Sequence, residues 1–420
     1  MDTLRNAAVP SALMGRPGSG TERLDIVIAD GKIASLAPHQ PGPGRDLDGG
    51  LVLPAFADIH THIDKGQIWG RQPNPDGSFM GALFAVRDDR VARWTAEDVS
   101  RRMDFLLRCA YAHGSAAVRT HLDSVPPQDE ISWAVFDQMR ARWKDRIELQ
   151  AVALIGPYEL VDKAQVMKVA KVAQRVGGLL GGAMASDPKS AEGMMNVVEV
   201  AGELGLDLDM HCDETLDPNS SVLLHLAEAV LETGYTGKVL AGHCCALSTQ
   251  DDDTCKRTIK KAGEAGISVV SLPMCNMYLQ DRLPGRTPRM RGVAPMAEFR
   301  AAGVPVAIAS DNVRDPFYAY GDMDGLEVLR EAGRVLHFDH PQDEAWIAAR
   351  MIGADAARIA GFNYTGEIKV GAPADLLLFR ARTWTELFAR PQSDRVVLRK
   401  GVAIDTTLPD YRELDDLMEA

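Results

Sequence analysis

Six side chains in this sequence have types and spacing that suit chemistry on a metal-activated water. His60 and His62 stand two residues apart, as His60-Thr61-His62. On a strand that spacing puts both imidazoles on one face, within reach of a single ion. A lone H-x-H also arises by chance, but here LPAFADI precedes it and Asp64-Lys65 follows. His211 opens His211-Cys212-Asp213-Glu214 and can supply a third nitrogen. Glu214, three residues on, can take a proton from the water and pass it to a ring nitrogen without itself binding metal. An ordinary loop has the same spacing. His243, in GHCCAL, is either a hydrogen-bonded core histidine or a group that orients the attacking oxygen and stabilises its developing charge. Asp311 follows the apolar run of VPVAIASD. A carboxylate buried there needs a counter-charge, and a divalent cation provides one. Three neutral nitrogens and one oxygen leave a coordination position for water, the open arrangement of a hydrolytic site.

These residues need a scaffold that brings them to one end. Apolar, β-branched runs recur at 56–62, 116–123, 148–155, 177–184, 206–214, 238–243, 267–273 and 304–311. Between them lie stretches with helical periodicity, such as SRRMDFLLRCAYAHG and AQVMKVAKVAQRVGG. Eight buried strands alternating with helices predict an α/β fold, a (β/α)8 TIM-like barrel. His60 and His62, His211, His243 and Asp311 then end strands one, five, six and eight, on the face where barrels build their sites. A doubly wound sheet is disfavoured, because no G-x-G-x-x-G or P-loop pattern follows an early strand. Segments 24–36, 366–379 and 395–404 read instead as strand, turn, strand. They predict a small β-sandwich domain formed by the N- and C-terminal segments, with divisions at 1–52, 53–362 and 363–420.

Composition narrows the function classes. The 420 residues are 46% hydrophobic and 25% charged, with net charge −13. That acidity argues against nucleic acid, since phosphate binding needs a basic face. No run approaches the roughly 20 apolar residues of a membrane span, and the N-terminus lacks a secretory pattern. A cytoplasmic location is expected. The six cysteines include no C-x-x-C pair and are too sparse for a disulfide scaffold. A homo-oligomer is compatible with this composition.

PAFADIHTHIDK, VRTHLD, HCDET, GHCCAL, LQDR at 279–282, SDNVRDPFYAYG and VGAPADLLLF arrive in the order seen in the amidohydrolase superfamily. Within it the chain resembles the cytosine deaminase-like branch, from about residue 24 to about 405. The resemblance implies one metal ion, Zn2+ or Fe2+, on His60, His62, His211 and Asp311. It implies Glu214 as proton shuttle and His243 as holder of the attacking hydroxide. Asp311 would also help move a proton to the departing amine. The implied partner is a small heterocyclic substrate that loses an exocyclic amine as ammonia.

Two departures bear on which ring is read. Cytosine deaminases usually carry Pro-Gln-Glu after the third strand, where this chain has Pro157-Tyr158-Glu159. They commonly place a second aspartate after the metal-binding one, and here it is Asn312. An amide both donates and accepts, which changes the ring tautomer that is recognised. Phe317 stands where a tryptophan is usual, leaving room for a ring substituent or serving packing alone. Lys65 and Asp311-Asn312-Val313-Arg314-Asp315 also resemble N-isopropylammelide amidohydrolase, which lacks the glutamate matching Glu214. Lys65 either donates to a substrate carbonyl or pairs with a carboxylate at the barrel mouth. The alternatives are alkylamine release from an s-triazine, ring-opening of a cyclic amide, and a scaffold without catalysis. Ring-opening relatives place a bridging lysine on strand four, and 177–186 contains none.

Overall fold

A computed structural model describes residues 2–16, 20–339 and 344–419. Eight parallel strands follow the eight apolar runs: β1 Phe56–Thr61, β2 Ser115–Asp123, β3 Glu148–Leu154, β4 Leu179–Met184, β5 Leu208–Cys212, β6 Val239–His243, β7 Ser268–Ser271 and β8 Val306–Ile308. They pair in sequence order. Every residue of β1, β2, β5 and β6 is buried, as expected of parallel strands covered on both faces. The ring closes where Thr61 bridges Asp311 and the Asp311 N–H donates to His60 O at 2.9 Å. The closing seam thus joins two of the residues singled out for chemistry.

Helices return the chain between strands, and their ends carry caps. Thr95 caps Ala96–His113 by accepting from Asp98 N. Gly114 ends that helix at φ 98°, and a Cβ there would meet Leu377 Cδ2 at 2.3 Å. Only glycine allows this close approach of the barrel to the terminal sheets.

Two four-stranded sheets lie beside the barrel. One is formed by Asp2–Pro10, Thr21–Ala29, Lys32–Pro38 and Arg45–Asp46, the other by Val52–Pro54, Leu376–Leu378, Val396–Arg399 and Val402–Ala403. They share a core that includes Val9, Ile26, Ile33, Val52, Leu376 and Leu398, which makes the pair a sandwich drawn from both ends of the chain. The expected turn at Asp30-Gly31 is there, with φ 52° and 76°.

Three details differ from expectation. The first strand, Asp2–Pro10, went unanticipated because its Arg5, Asn6 and irregular register break the alternation. Within 366–379, only Leu376–Leu378 is a strand. Residues around Ile368 bond irregularly to Leu13 O and Ile33 O instead. The eighth strand is three residues long, because Asp311 already leaves the β region at φ 69°. No helix among the described residues is long and apolar enough to cross a membrane.

Candidate active site

The ends of β1, β5, β6 and β8 turn their side chains inward to one place. His211 Nε2 lies 3.2 Å from both His60 Nε2 and His62 Nε2. Asp311 Oδ1 lies 3.2 Å from His62 Nε2 and 3.8 Å from His60 Nε2. One nitrogen cannot donate to two nitrogens at once, so ordinary hydrogen bonding does not account for this convergence. Four donors at about 2.1 Å from a tetrahedral ion stand about 3.4 Å apart, which is the spacing seen. Neither Asp311 oxygen has a hydrogen-bond partner, although the residue is fully buried. Burial, with His121 and His243 adding to it, holds His60 far below the ordinary histidine range. Burial also lowers His62, with Lys65 contributing, and His211, with His60 contributing. The rings are therefore neutral, with lone pairs free. Burial pushes Asp311 up to about 7; the neighbouring Cys275 thiol works against the rise and the Asp315 carboxylate adds to it. This donor set suits one divalent cation, whose charge would offset the burial of the carboxylate.

Backbone strain marks the same strand ends. Asp213, His243, Cys244 and Asp311 all have φ between 52° and 69°. Left-handed non-glycine residues cost of order 1 kcal/mol each and persist where the surroundings enforce them. Asp213 shows how. Its carboxylate accepts from Ser220 Oγ at 2.6 Å, Val222 N at 2.8 Å and Leu223 N at 2.9 Å. The start of helix Val222–Thr233 thereby pins the turn that delivers Glu214.

Glu214 sits against His243, Oε1 to Nδ1 at 3.3 Å. Burial, then the Asp311 carboxylate, push its carboxyl well above the usual range. The Asn276 amide Nδ2 donates to His243 Nδ1 at 2.9 Å. The neutral ring then carries its proton on Nε2, which is buried and unpaired. One nitrogen of His243 lies within 4.8 Å of nitrogens of His60 and His211. Burial lowers His243 to about 3, so the neutral form persists across the physiological range.

The remaining expected contacts are placed as follows. Lys65 Nζ pairs with Asp123 Oδ1 at 2.7 Å, and Arg90 takes the other oxygen at 2.7 Å, so the carboxylate-pairing alternative describes its present partner. Asn312 is held at both ends of its amide: Nδ2 donates to Asp315 Oδ2 at 2.7 Å, and Oδ1 faces Cys275 Sγ at 3.4 Å. Phe317 is buried, packs edge-on against Phe79 at 5.4 Å, and lies 5.7 Å beneath Lys65 Nζ. Tyr158 is not drawn in; it is 88% exposed, on the short helix Pro157–Leu160 that follows β3. The Arg71 guanidinium pairs with Asp89 and Asp98.

Sequence reasoning passed over four residues near the cluster. His121, inside VRTHLD, stacks 4.1 Å from His60, with Nε2 3.6 Å from Asp209 Oδ1, and Asp209 is paired to Arg119 at 2.8 Å. Asn276 and Cys275 follow β7, where no histidine or acidic residue flags the strand end. Gly242 pairs with His211 across the sheet, and a Cβ on it would stand 2.9 Å from His60 Cε1. Its signal was its place directly before His243.

A family model described as the amidohydrolase family matches residues 174–408. The pterin deaminase of Rhizobium rhizogenes is 53% identical over 99% of this chain and 97% of its own length. The chain belongs to the amidohydrolase family. The N-isopropylammelide isopropyl amidohydrolase of a Pseudomonas species is 25% identical over 85% of this chain and 87% of its own. In fold, the 5-methylcytosine deaminase from Klebsiella pneumoniae superposes with a TM-score of 0.82 at 24% identity, covering 97% of this chain and 98% of the other. This amidohydrolase is therefore a hydrolase acting on carbon–nitrogen bonds, a hydrolytic deaminase by class.

Proposed function

We propose that this chain hydrolyses the exocyclic amine of a pterin-type ring, releasing ammonia and leaving an oxo group. The observation that carries the reading is the joint one: a deaminase-type constellation including Glu214, in a chain 53% identical along 99% of its length to a pterin deaminase. The amino-bearing half of a pterin is a 2-amino-4-oxopyrimidine. That accommodates the expected cytosine-like ring while presenting a different edge, in keeping with Asn312 in place of the usual aspartate.

His60, His62, His211 and Asp311 hold the divalent cation, which when bound lowers the pKa of water toward neutrality. Glu214 takes the proton from the attacking water and delivers it to the ring nitrogen beside the carbon under attack. Its raised affinity for a proton, set by burial and by Asp311, suits a group that must hold that proton between the two transfers. His243, its Nδ1 fixed by Asn276 and its Nε2 buried without a partner, stabilises the charge that develops on the attacking oxygen. Asp311 takes the remaining proton of the added oxygen and passes it to the amine, which departs as ammonia as the oxo group forms. Asn312, oriented by Asp315 and Cys275, reads the ring edge, with Lys65 and Phe317 beside it. Tyr158, on the rim after β3, reaches the ring only by folding inward over it.

Relative kcat/KM for pterin, isocytosine, cytosine and N-isopropylammelide tests the substrate. Pterin should exceed the two single rings by at least tenfold, with ammonia as the amine product. Preference for N-isopropylammelide with release of isopropylamine would overturn the reading.

A further inference from the structure

The Asp311 carboxylate belongs to two groups of donors. One is the histidine group above. The other joins Asp311 to Glu214 and Cys275, each offering an atom within 4.8 Å of the other two. With Oδ1 turned to His62, Oδ2 remains buried without a hydrogen-bond partner. Cys275 Sγ is fully buried, 3.4 Å from Asn312 Oδ1. Among the described residues no other cysteine falls in such a group of metal-capable side chains.

We propose that Glu214, Cys275 and Asp311 form a second cation site, selective for thiophilic ions such as Cd2+ or excess Zn2+, which shares Asp311 with the histidine group and stops turnover when filled. The sulfur sets the preference, because thiolate ligands favour soft ions over Mg2+ or Ca2+. On binding, the Cys275 thiol gives its proton to solvent and a metal–sulfur bond forms. The thiolate and the two carboxylates supply the negative charge that two neighbouring divalent ions need. Donors within 4.8 Å close on an ion with bond lengths of about 2.0–2.3 Å by small side-chain rotations. Turnover stops because the ion occupies the carboxylate of Glu214, which can then no longer carry a proton.

Zinc-replete wild-type protein, Cys275→Ser and Cys275→Val would each be titrated with Cd2+ alone. Metal per chain after dialysis and the ultraviolet cadmium–thiolate absorption are read first. Rates on pterin follow, each normalised to the same protein without cadmium. The wild type should hold one zinc and one cadmium, show the thiolate band, and lose at least 90% of its rate. Both variants should hold one ion, lack the band and resist the same cadmium concentration. A wild type that takes no second ion or shows no thiolate band overturns the proposal, as does equal inhibition of the variants. Chains that hold no zinc at all would overturn the histidine site itself, a separate failure from that of the cadmium site.

Discussion

At the residue scale, His60, His62 and His211 would only hold the cation, Glu214 would only move protons, and Asp311 would do both. Glu214 lies outside the His60–His62–His211–Asp311 group, so Glu214→Gln should keep one metal ion per chain while lowering kcat by about 10²–10⁴. Metal analysis beside steady-state kinetics checks this, and a near-normal rate would remove Glu214 from the mechanism. Gly242 makes the opposite prediction. Its side-chain hydrogen leaves room for the His60 ring, and a methyl 2.9 Å from Cε1 forces that ring to shift. Gly242→Ala should weaken metal binding about tenfold or more, read by competition with a chromophoric chelator, and turnover should return at high metal concentration. The side chains that converge as candidate metal ligands were legible because they are histidines and an aspartate at the ends of apolar runs. Asn276, Cys275 and Gly242 were not, because their types are common and only the barrel brings them beside His243, Asp311 and His60.

At the scale of elements, the strand ends do the positioning, and loops held by carboxylates frame the mouth. Asp281 follows helix Pro273–Leu279 and gathers the segment after it, accepting from Met290 N at 2.9 Å and from Arg289 N and the Arg286 guanidinium. These donors, the Arg289 and Met290 amides first, lower Asp281 to about 2. A folded-state pKa below the usual 3.8 means the contribution is complete above pH 3.8. It is lost as the pH falls toward 2. Asp281→Asn should therefore speed proteolysis of 281–291 at pH 7 and make little further difference near pH 2. Equal cleavage of both proteins at pH 7 would show that Asp281 does not hold the segment. The closing tail is held in a related way. Arg101 pairs with Asp416, Arg108 with Glu413, and Tyr411 stacks on Phe105 at 5.7 Å. The eight barrel strands could be read from their apolar runs. The Asp2–Pro10 strand and the irregular path around Ile368 could not, because partners distant in sequence determine them.

At the scale of the whole molecule, the cluster lies at the C-terminal ends of the barrel strands, and the proposed cation would tie three of those strands, β1, β5 and β8, together there. Removing it should leave neutral histidines facing one another and an uncompensated carboxylate. A ligand present at 100–1,000 times its Kd stabilises by about 2.7–4.1 kcal/mol. Chelated protein should therefore melt several degrees lower, and recover when zinc or ferrous iron is restored. Net charge and composition predicted the class of molecule, but the ring it acts on depends on how Asn312, Phe317 and Lys65 present their polar and apolar edges together. The most direct test is to titrate metal-free protein with zinc while following ammonia release from pterin. The rate should rise to a plateau at one ion per chain, with one ammonia formed for each oxo product. Ammonia release that ignores the metal, or metal-replete protein that leaves pterin unchanged, would contradict it.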